Sequence, residues 1–251
     1  MKNKTLIHFI LVKALIFGFL FTTCVSSYAH ARDTILVLAG LGNKTYLPVK
    51  LLHETFTFKY SYLASLQTGF VLDKPFPQNF KKLKGIKIII MADVPASALN
   101  GLLGRMALWE FVKHGGGLLY FGGPFAFGKG DIRDSLLESV LPVTTTGPWD
   151  MIKSPGHVKT TGYSSITAEL DWSKNPYIFY EQKVKPKSGS NTLLRCNGTP
   201  VLITGRYGKG KVAVFTGTYF GNLQKNKNHV FFYKWQDYPE LLTRILNWLR
   251  N

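Results

Sequence analysis

The residues with chemical potential are few. One cysteine, Cys196, lies outside the N-terminal 31 residues, and it sits after a Lys/Ser/Gly-rich loop. A lone thiol forms no internal disulfide and builds no cysteine-based metal site. A nucleophilic cysteine is expected on a strand-to-helix turn, which Cys196 does not occupy. Gly205-Arg206-Tyr207-Gly208-Lys209-Gly210-Lys211 comes close to a phosphate-binding loop, but Val212 stands where the magnesium-binding hydroxyl belongs. A strand is expected after it, not the helix whose N-terminus would hold phosphate, so it reads as a hairpin turn. His53, His114, His157 and His229 show no metal-ligand spacing. His114 closes a predicted helix, where a cation suits the helix dipole.

More informative is the run Gly115 to Gly123 followed by Pro124-Phe125-Ala126-Phe127-Gly128. A buried strand flowing into Gly122-Gly123 is where α/β proteins make a tight turn at the carboxyl edge of a parallel sheet. Glycine backbone there leaves amide donors free for an oxyanion. Asp93 follows another buried strand, and Lys129 and Asp131 follow the glycine turn, so all three are expected at the same edge. Asp93, Gly122, Gly123, Lys129 and Asp131 are therefore the candidate ligand-binding residues. Each also has a plain role: turn chemistry beside Pro95 for Asp93, helix capping for Asp131, solvation for Lys129. The two aspartates could form an acid/base pair for glycan hydrolysis, provided their separation suits that chemistry. Trp149, Trp172 and Trp235 lie in or beside irregular segments and read as packing residues, with sugar stacking as the alternative.

The elements that would position these residues follow from hydrophobic patterning. Thr34 to Ala39, Ile86 to Met91 and Leu118 to Phe121 are continuous apolar runs, expected for strands buried on both faces of a parallel sheet. Between them, Pro48 to Phe56 reads as helical. So does a segment ending near His114, with Leu103, Ala107, Leu108, Phe111 and Val112 on one face. Gly115-Gly116-Gly117 stops that helix. Asp131 to Val140 is expected as a short helix, and Thr144 to Gly198 as a wrap around one edge. Val201–Thr204 and Val212–Phe215 read as a hairpin, and a helix after Pro239 closes the chain with Leu241, Leu242, Ile245, Leu246 and Leu249 inward. The alternation predicts an α/β fold, a doubly wound and mostly parallel sheet.

The N-terminus carries Lys2 and Lys4, an apolar region around Ala14–Phe21, and Ala29-His30-Ala31. This is the order of a cleavable secretion signal, giving residues 1–31 as signal peptide and 32–251 as one domain. An uncleaved anchor, or acylation at Cys24, are the alternatives. Cleavage removes three lysines and no acid, lowering the formal charge from +17 to +14. Such an excess favours anionic surfaces. Export makes nucleic acid an unsuitable partner, and the mature chain is not expected to span a membrane.

Phe111 to Gly130, followed by Leu136 to Val143, resembles the glutamine amidotransferase-like family of class I fold, found in bacterial envelope proteins. The resemblance extends to Gly208–Gly217 and the closing helix. It implies a flavodoxin-like three-layer sandwich and no cofactor. Active relatives are expected to carry a cysteine between glycines at the turn and a late His-x-Glu. Here Gly122, Gly123, Pro124, Phe125 and Ala126 occupy the turn, and Gly217-Thr218-Tyr219-Phe220 follows the late strand. The implied protein is a non-catalytic domain, periplasmic or secreted, that binds or scaffolds an envelope protein or anionic surface; the alternative is a hydrolase with carboxylates at the sheet edge.

Overall fold

The computed structural model describes residues 32–47, 52, 55–67, 69–221 and 229–251. The expected signal segment, His53, most of the helix predicted over 48–56, and Lys225 and Lys227 lie outside the described residues.

The centre of the fold is a run of five parallel strands. β1 (Asp33–Ala39) is flanked by β2 (Phe56–Leu66) and β4 (Ile86–Ala92); β5 (Gly117–Phe121) and β12 (Gly210–Phe215) continue the run. β1, β4, β5 and β12 are apolar along most of their length because both faces are covered, whereas β2, nearer the edge, alternates aromatic with polar residues. Along β5 the faces alternate: Leu119 and Phe121 join one core, and Leu118 and Tyr120 the other. The first core is closed by the C-terminal helix Tyr238–Arg250, the second by the helix Gly101–Lys113.

The sheet does not end there. In the described residues it has eleven strands in the order β13-β8-β7-β10-β11-β12-β5-β4-β1-β2-β3. β11 (Thr199–Tyr207) pairs antiparallel with β12, β10 (Asn191–Cys196) with β11, and β7 (Met151–Thr160) with both β10 and β8 (Pro176–Gln182). β13 (Val230–Phe231) adds to β8. The expected mostly parallel sheet is thus limited to the centre. The segment read as an edge wrap instead builds an antiparallel half of the sheet. β7 and β10 are rich in polar residues, with few apolar residues inward, and so lack the long apolar runs that mark the centre; β8 has such a run, Pro176–Tyr180, but pairs antiparallel. β6 (Val143–Thr145) and β9 (Val184–Pro186) form a separate small pair.

Other expectations are corrected locally. Phe56, placed at the end of a helix, opens β2, and β2 turns into the hairpin strand β3 (Gly69–Leu72). Among the α-helices of the described residues are α1 (Asn43–Tyr46), α2 (Gly101–Lys113), α3 (Leu136–Val140) and α4 (Tyr238–Arg250). Leu103 of α2 is 52 % exposed, not buried; Gly104 takes the inner position, where a Cβ would collide with the Leu99 carbonyl. α2 ends as expected: Gly115, at φ 114°, bonds back to Val112, and Gly116 to Phe111. α3 starts at Leu136 instead of Asp131, because Ser135 is its cap, accepting from the Glu138 amide at 3.3 Å. Gly205–Lys211 is a hairpin: Tyr207 pairs with Gly210 across Gly208 and Lys209. No helix among the described residues is long and apolar enough to cross a membrane.

Candidate functional site at the carboxyl edge of the parallel strands

The carboxyl ends of β1, β4, β5 and β12 converge on one buried polar junction. Asp93 directly follows β4 at φ 56°, a left-handed backbone that aspartate tolerates better than most residues. Its side chain is fully buried. Oδ1 accepts the Phe125 amide at 2.6 Å, while Oδ2 has no hydrogen-bond partner among the described residues. Burial pushes this carboxyl up to about 7, partly offset by the Phe125 N–H.

Gly123 lies against that carboxylate, and any Cβ there would overlap the Asp93 side chain. Gly122 lies against Gln182 in the same way, with the Thr216 carbonyl oxygen 2.6 Å from where a Cβ would sit. The two glycines are needed for close approach, not for positive φ. Gln182, at the end of β8, donates from Nε2 to the Gly123 carbonyl at 2.8 Å. Tyr46 donates to the Gly122 carbonyl at 2.7 Å and accepts the Tyr219 amide at 2.9 Å. Its ring stacks on Phe121 with centroids 4.9 Å apart. Burial, then the nearby Asp93 charge, raises the Tyr46 hydroxyl well above its ordinary range. The glycine turn is therefore gripped from three sides: by β4 through Asp93, by β8 through Gln182 and by α1 through Tyr46.

Of the sequence-derived candidates, the structure brings Asp93, Gly122 and Gly123 into contact. It also joins the two loops themselves, since Ala96 donates to the Gly130 carbonyl at 2.7 Å. Lys129 and Asp131 stay outside the junction. Lys129 is exposed, with its ammonium 4.2 Å from the ring centroid of exposed Trp149. Asp131 is exposed at φ 55°, a turn residue and not a helix cap. One aspartate is sealed and the other is on the surface, so they do not face each other across an open cleft. Trp172 and Trp235 pack together, centroids 4.6 Å apart, against the core.

Several polar residues of this region were not anticipated. Besides Tyr46, Gln182 and Tyr219, Asp150 is buried beneath the turn, its Oδ2 accepting the Gly128 amide at 3.0 Å, and burial raises it to about 6. Glu181 is fully buried on β8; burial lifts it to about 7 against the pull of the Ser154 and Thr199 side chains. The Glu181-Gln182 pair closing the apolar, aromatic run Pro176–Tyr180 was the available signal, since polar residues at the end of such a run face a polar junction. Cys196 is buried on β10, its Sγ 3.6 Å from the Ser154 carbonyl oxygen. Burial, then the Glu181 charge, pushes its thiol up to about 12. No group of three or more potential metal ligands occurs among the described residues.

These features define an α/β protein whose sheet-edge turn is built of backbone and closed by buried polar side chains. The family model described as "Putative glutamine amidotransferase" matches residues 47–251, and the chain belongs to that glutamine amidotransferase-like family. The structure is similar to two proteins of Salmonella typhimurium, each described as a cytoplasmic protein. STM1381, from strain LT2, is 20 % identical with a TM-score of 0.69, covering 87 % of this chain and 100 % of its own. STM3548 is 16 % identical with a TM-score of 0.70, covering 86 % and 98 %. A ThuA-like protein from Bacteroides uniformis is 12 % identical with a TM-score of 0.58, covering 90 % and 94 %. At these identities the likeness concerns the fold. No curated protein sequence is significantly similar to the chain.

Proposed function

We propose that this protein is an exported, non-catalytic member of its family, serving in binding or scaffolding at the bacterial envelope. One observation carries the non-catalytic part. At the turn after β5, where acyl transfer would need a nucleophile, Gly122 and Gly123 are packed against Gln182 and Asp93 with no room for a side chain. Without a thiolate or alkoxide on that turn, amide donors alone do not start the reaction. Cys196, the sole thiol outside residues 1–31, is buried on β10, with its pKa pushed far above neutrality. Supporting a flavodoxin-like three-layer arrangement are the five parallel strands with α2 on one face and α4 on the other.

Export rests on the order of basic, apolar and small residues in 1–31, which precede the residues matched by the family. Two measurements test the proposal. Purified wild type and Cys196→Ala should both fail to release ammonia from glutamine; turnover lost in the variant would make Cys196 the nucleophile and overturn the reading. The exported protein should have an intact mass beginning at Arg32. A species retaining Met1, or acylated at Cys24, would overturn the export part.

A second reading, hydrolysis of envelope glycans or peptides, draws on the Asp93 carboxyl: a protonatable acid near neutrality with one oxygen unpartnered. It requires Asp93 to meet substrate, so any such activity should vanish in Asp93→Asn.

A further inference from the structure

The opposite edge of the parallel sheet carries a second feature. A cavity of about 560 Å³ lies where β4 and β5 begin and α2 ends. It is separated from Asp93 and Gly122 by the length of those strands, roughly 20 Å at the ordinary rise per residue. Phe80, Ile86 and Phe111 supply apolar walls, and Lys81, Lys84 and Lys87 supply the charge. The three lysines are exposed, and none is ion-paired among the described residues. No acidic side chain lines the cavity.

His114 adds a directional group. Its ring stacks flat on Phe80, with centroids 5.0 Å apart and planes 11° from parallel. Its Nδ1 is 2.8 Å from the Glu110 carbonyl oxygen. A carbonyl only accepts, so Nδ1 carries the proton and Nε2 is the nitrogen left for a ligand. The stacked pair is a platform for a flat apolar group. The lysines surround it with uncompensated positive charge.

A second cavity of about 680 Å³ adjoins the first, sharing Leu83, Lys84 and Ile86, and brings Lys59, Lys74 and Lys82 to the same surface. Asp73, beside Lys74, accepts from the Tyr62 amide at 2.7 Å and the Ser61 hydroxyl at 3.0 Å, and is held below its usual range by that bonding and by the Lys74 charge. Lysines distant in the sequence thus meet on one surface where positive charge predominates over the single carboxylate of Asp73, which concentrates anions.

We propose that the first cavity is a binding site for a small organic anion: a phosphate or carboxylate group held by Lys81, Lys84 and Lys87, with an apolar or aromatic body against Phe80 and His114. The volume suits a compact ligand, and apolar walls with a few convergent charges are the usual build of such sites. The site goes beyond the envelope-binding reading and does not depend on export or on the glycine turn.

The test is calorimetric titration of the purified protein with 2-naphthyl phosphate, inorganic phosphate and 2-naphthol. Saturable one-to-one binding of naphthyl phosphate is expected, at least tenfold tighter than either fragment. The triple variant Lys81→Gln, Lys84→Gln, Lys87→Gln should weaken it at least tenfold with an unchanged unfolding temperature, and the triple Lys→Arg variant should retain it. Should the glutamine triple fail to fold, Lys84→Gln alone should weaken binding about threefold. Phe80→Ala should bring naphthyl phosphate down to the level of inorganic phosphate. Absence of saturable binding, or equal affinity in folded Lys→Gln variants, overturns the proposal. So does binding of phosphatidylglycerol vesicles without binding of the soluble probe, which would make the patch a membrane-facing surface.

Discussion

The hydroxyl of Tyr46 donates to the carbonyl oxygen of Gly122 at 2.7 Å, although 76 residues separate them. The Tyr46 hydroxyl oxygen in turn accepts from the Tyr219 amide at 2.9 Å. One phenol therefore ties the turn after β1, the turn after β5 and the loop after β12 together. The Tyr46 carbonyl is held in turn by the Tyr238 hydroxyl at 2.7 Å, which fastens the closing helix to the same point.

Tyr46→Phe leaves a buried carbonyl and a partly buried amide without their partner while preserving the ring packing. The expected cost is about 1–3 kcal/mol of stability, the range for orphaning buried polar groups. Urea unfolding monitored by fluorescence measures it. An unchanged midpoint would mean that water satisfies both groups.

Gly122→Val should destabilise by about 1–3 kcal/mol or more, since the side chain must displace Gln182 and the Thr216 backbone. Gly123→Ala should cost a similar amount through its clash with Asp93. Gly147→Ala, at a position with open space around the Cβ, serves as the control and should be near neutral. Equal midpoints for all three would show that the turn does not pack as described.

Asp93 and Glu181 both keep their protons to about pH 7 in the folded state, because burial disfavours their charged forms. Unfolded, both ionise near pH 4. Below that pH both states are protonated and the stabilisation is complete. Between about pH 4 and 7 the unfolded chain releases protons that the folded chain retains, so stability falls as pH rises and levels off above about 7. At about 1.4 kcal/mol per pH unit between the unfolded and folded values, the combined loss is at most about 8 kcal/mol. Glu138 acts in the opposite sense: despite burial, hydrogen bonds from Thr145 and Asp134 hold it below its ordinary value, so its contribution fades only in stronger acid. Unfolding free energies from pH 4.5 to 8 measure the trend. Asp93→Asn should make it shallower, leaving the Glu181 share, and stability that rises across this range would contradict the buried acids.

Cys196 should be nearly inert. With its thiol raised to about 12 and almost no exposed surface, little thiolate exists at pH 8. Alkylation by iodoacetamide should be at least a hundredfold slower in the native protein than in urea. Comparable rates would mean that β10 opens readily.

The parallel centre is legible from the residues alone. Strands buried on both faces must be apolar throughout, and Thr34–Ala39, Ile86–Met91 and Leu118–Phe121 announce themselves for that reason. Equally legible are the hairpin at Gly208 and the inward face of the closing helix, because both depend on local periodicity and turn chemistry. The glycine turn was legible as well, since Gly122-Gly123 after a buried run has few other uses. The alternation Phe56, Phe58, Tyr60, Tyr62 in β2 was present but competed with a helical reading of the preceding segment. Which polar residues the fold seals inside is set by long-range packing. Asp93 and Asp131 look alike in sequence, yet one is buried against Gly123 and the other stays in water. Nothing local distinguishes them. Their environments come from strands far apart in the chain, with Gln182 and Tyr46 closing around one turn, and the lysines of 81–87 meeting His114 at the far edge. Such meetings depend on sheet order, and sheet order is set by packing across the whole chain, which no short window of sequence contains.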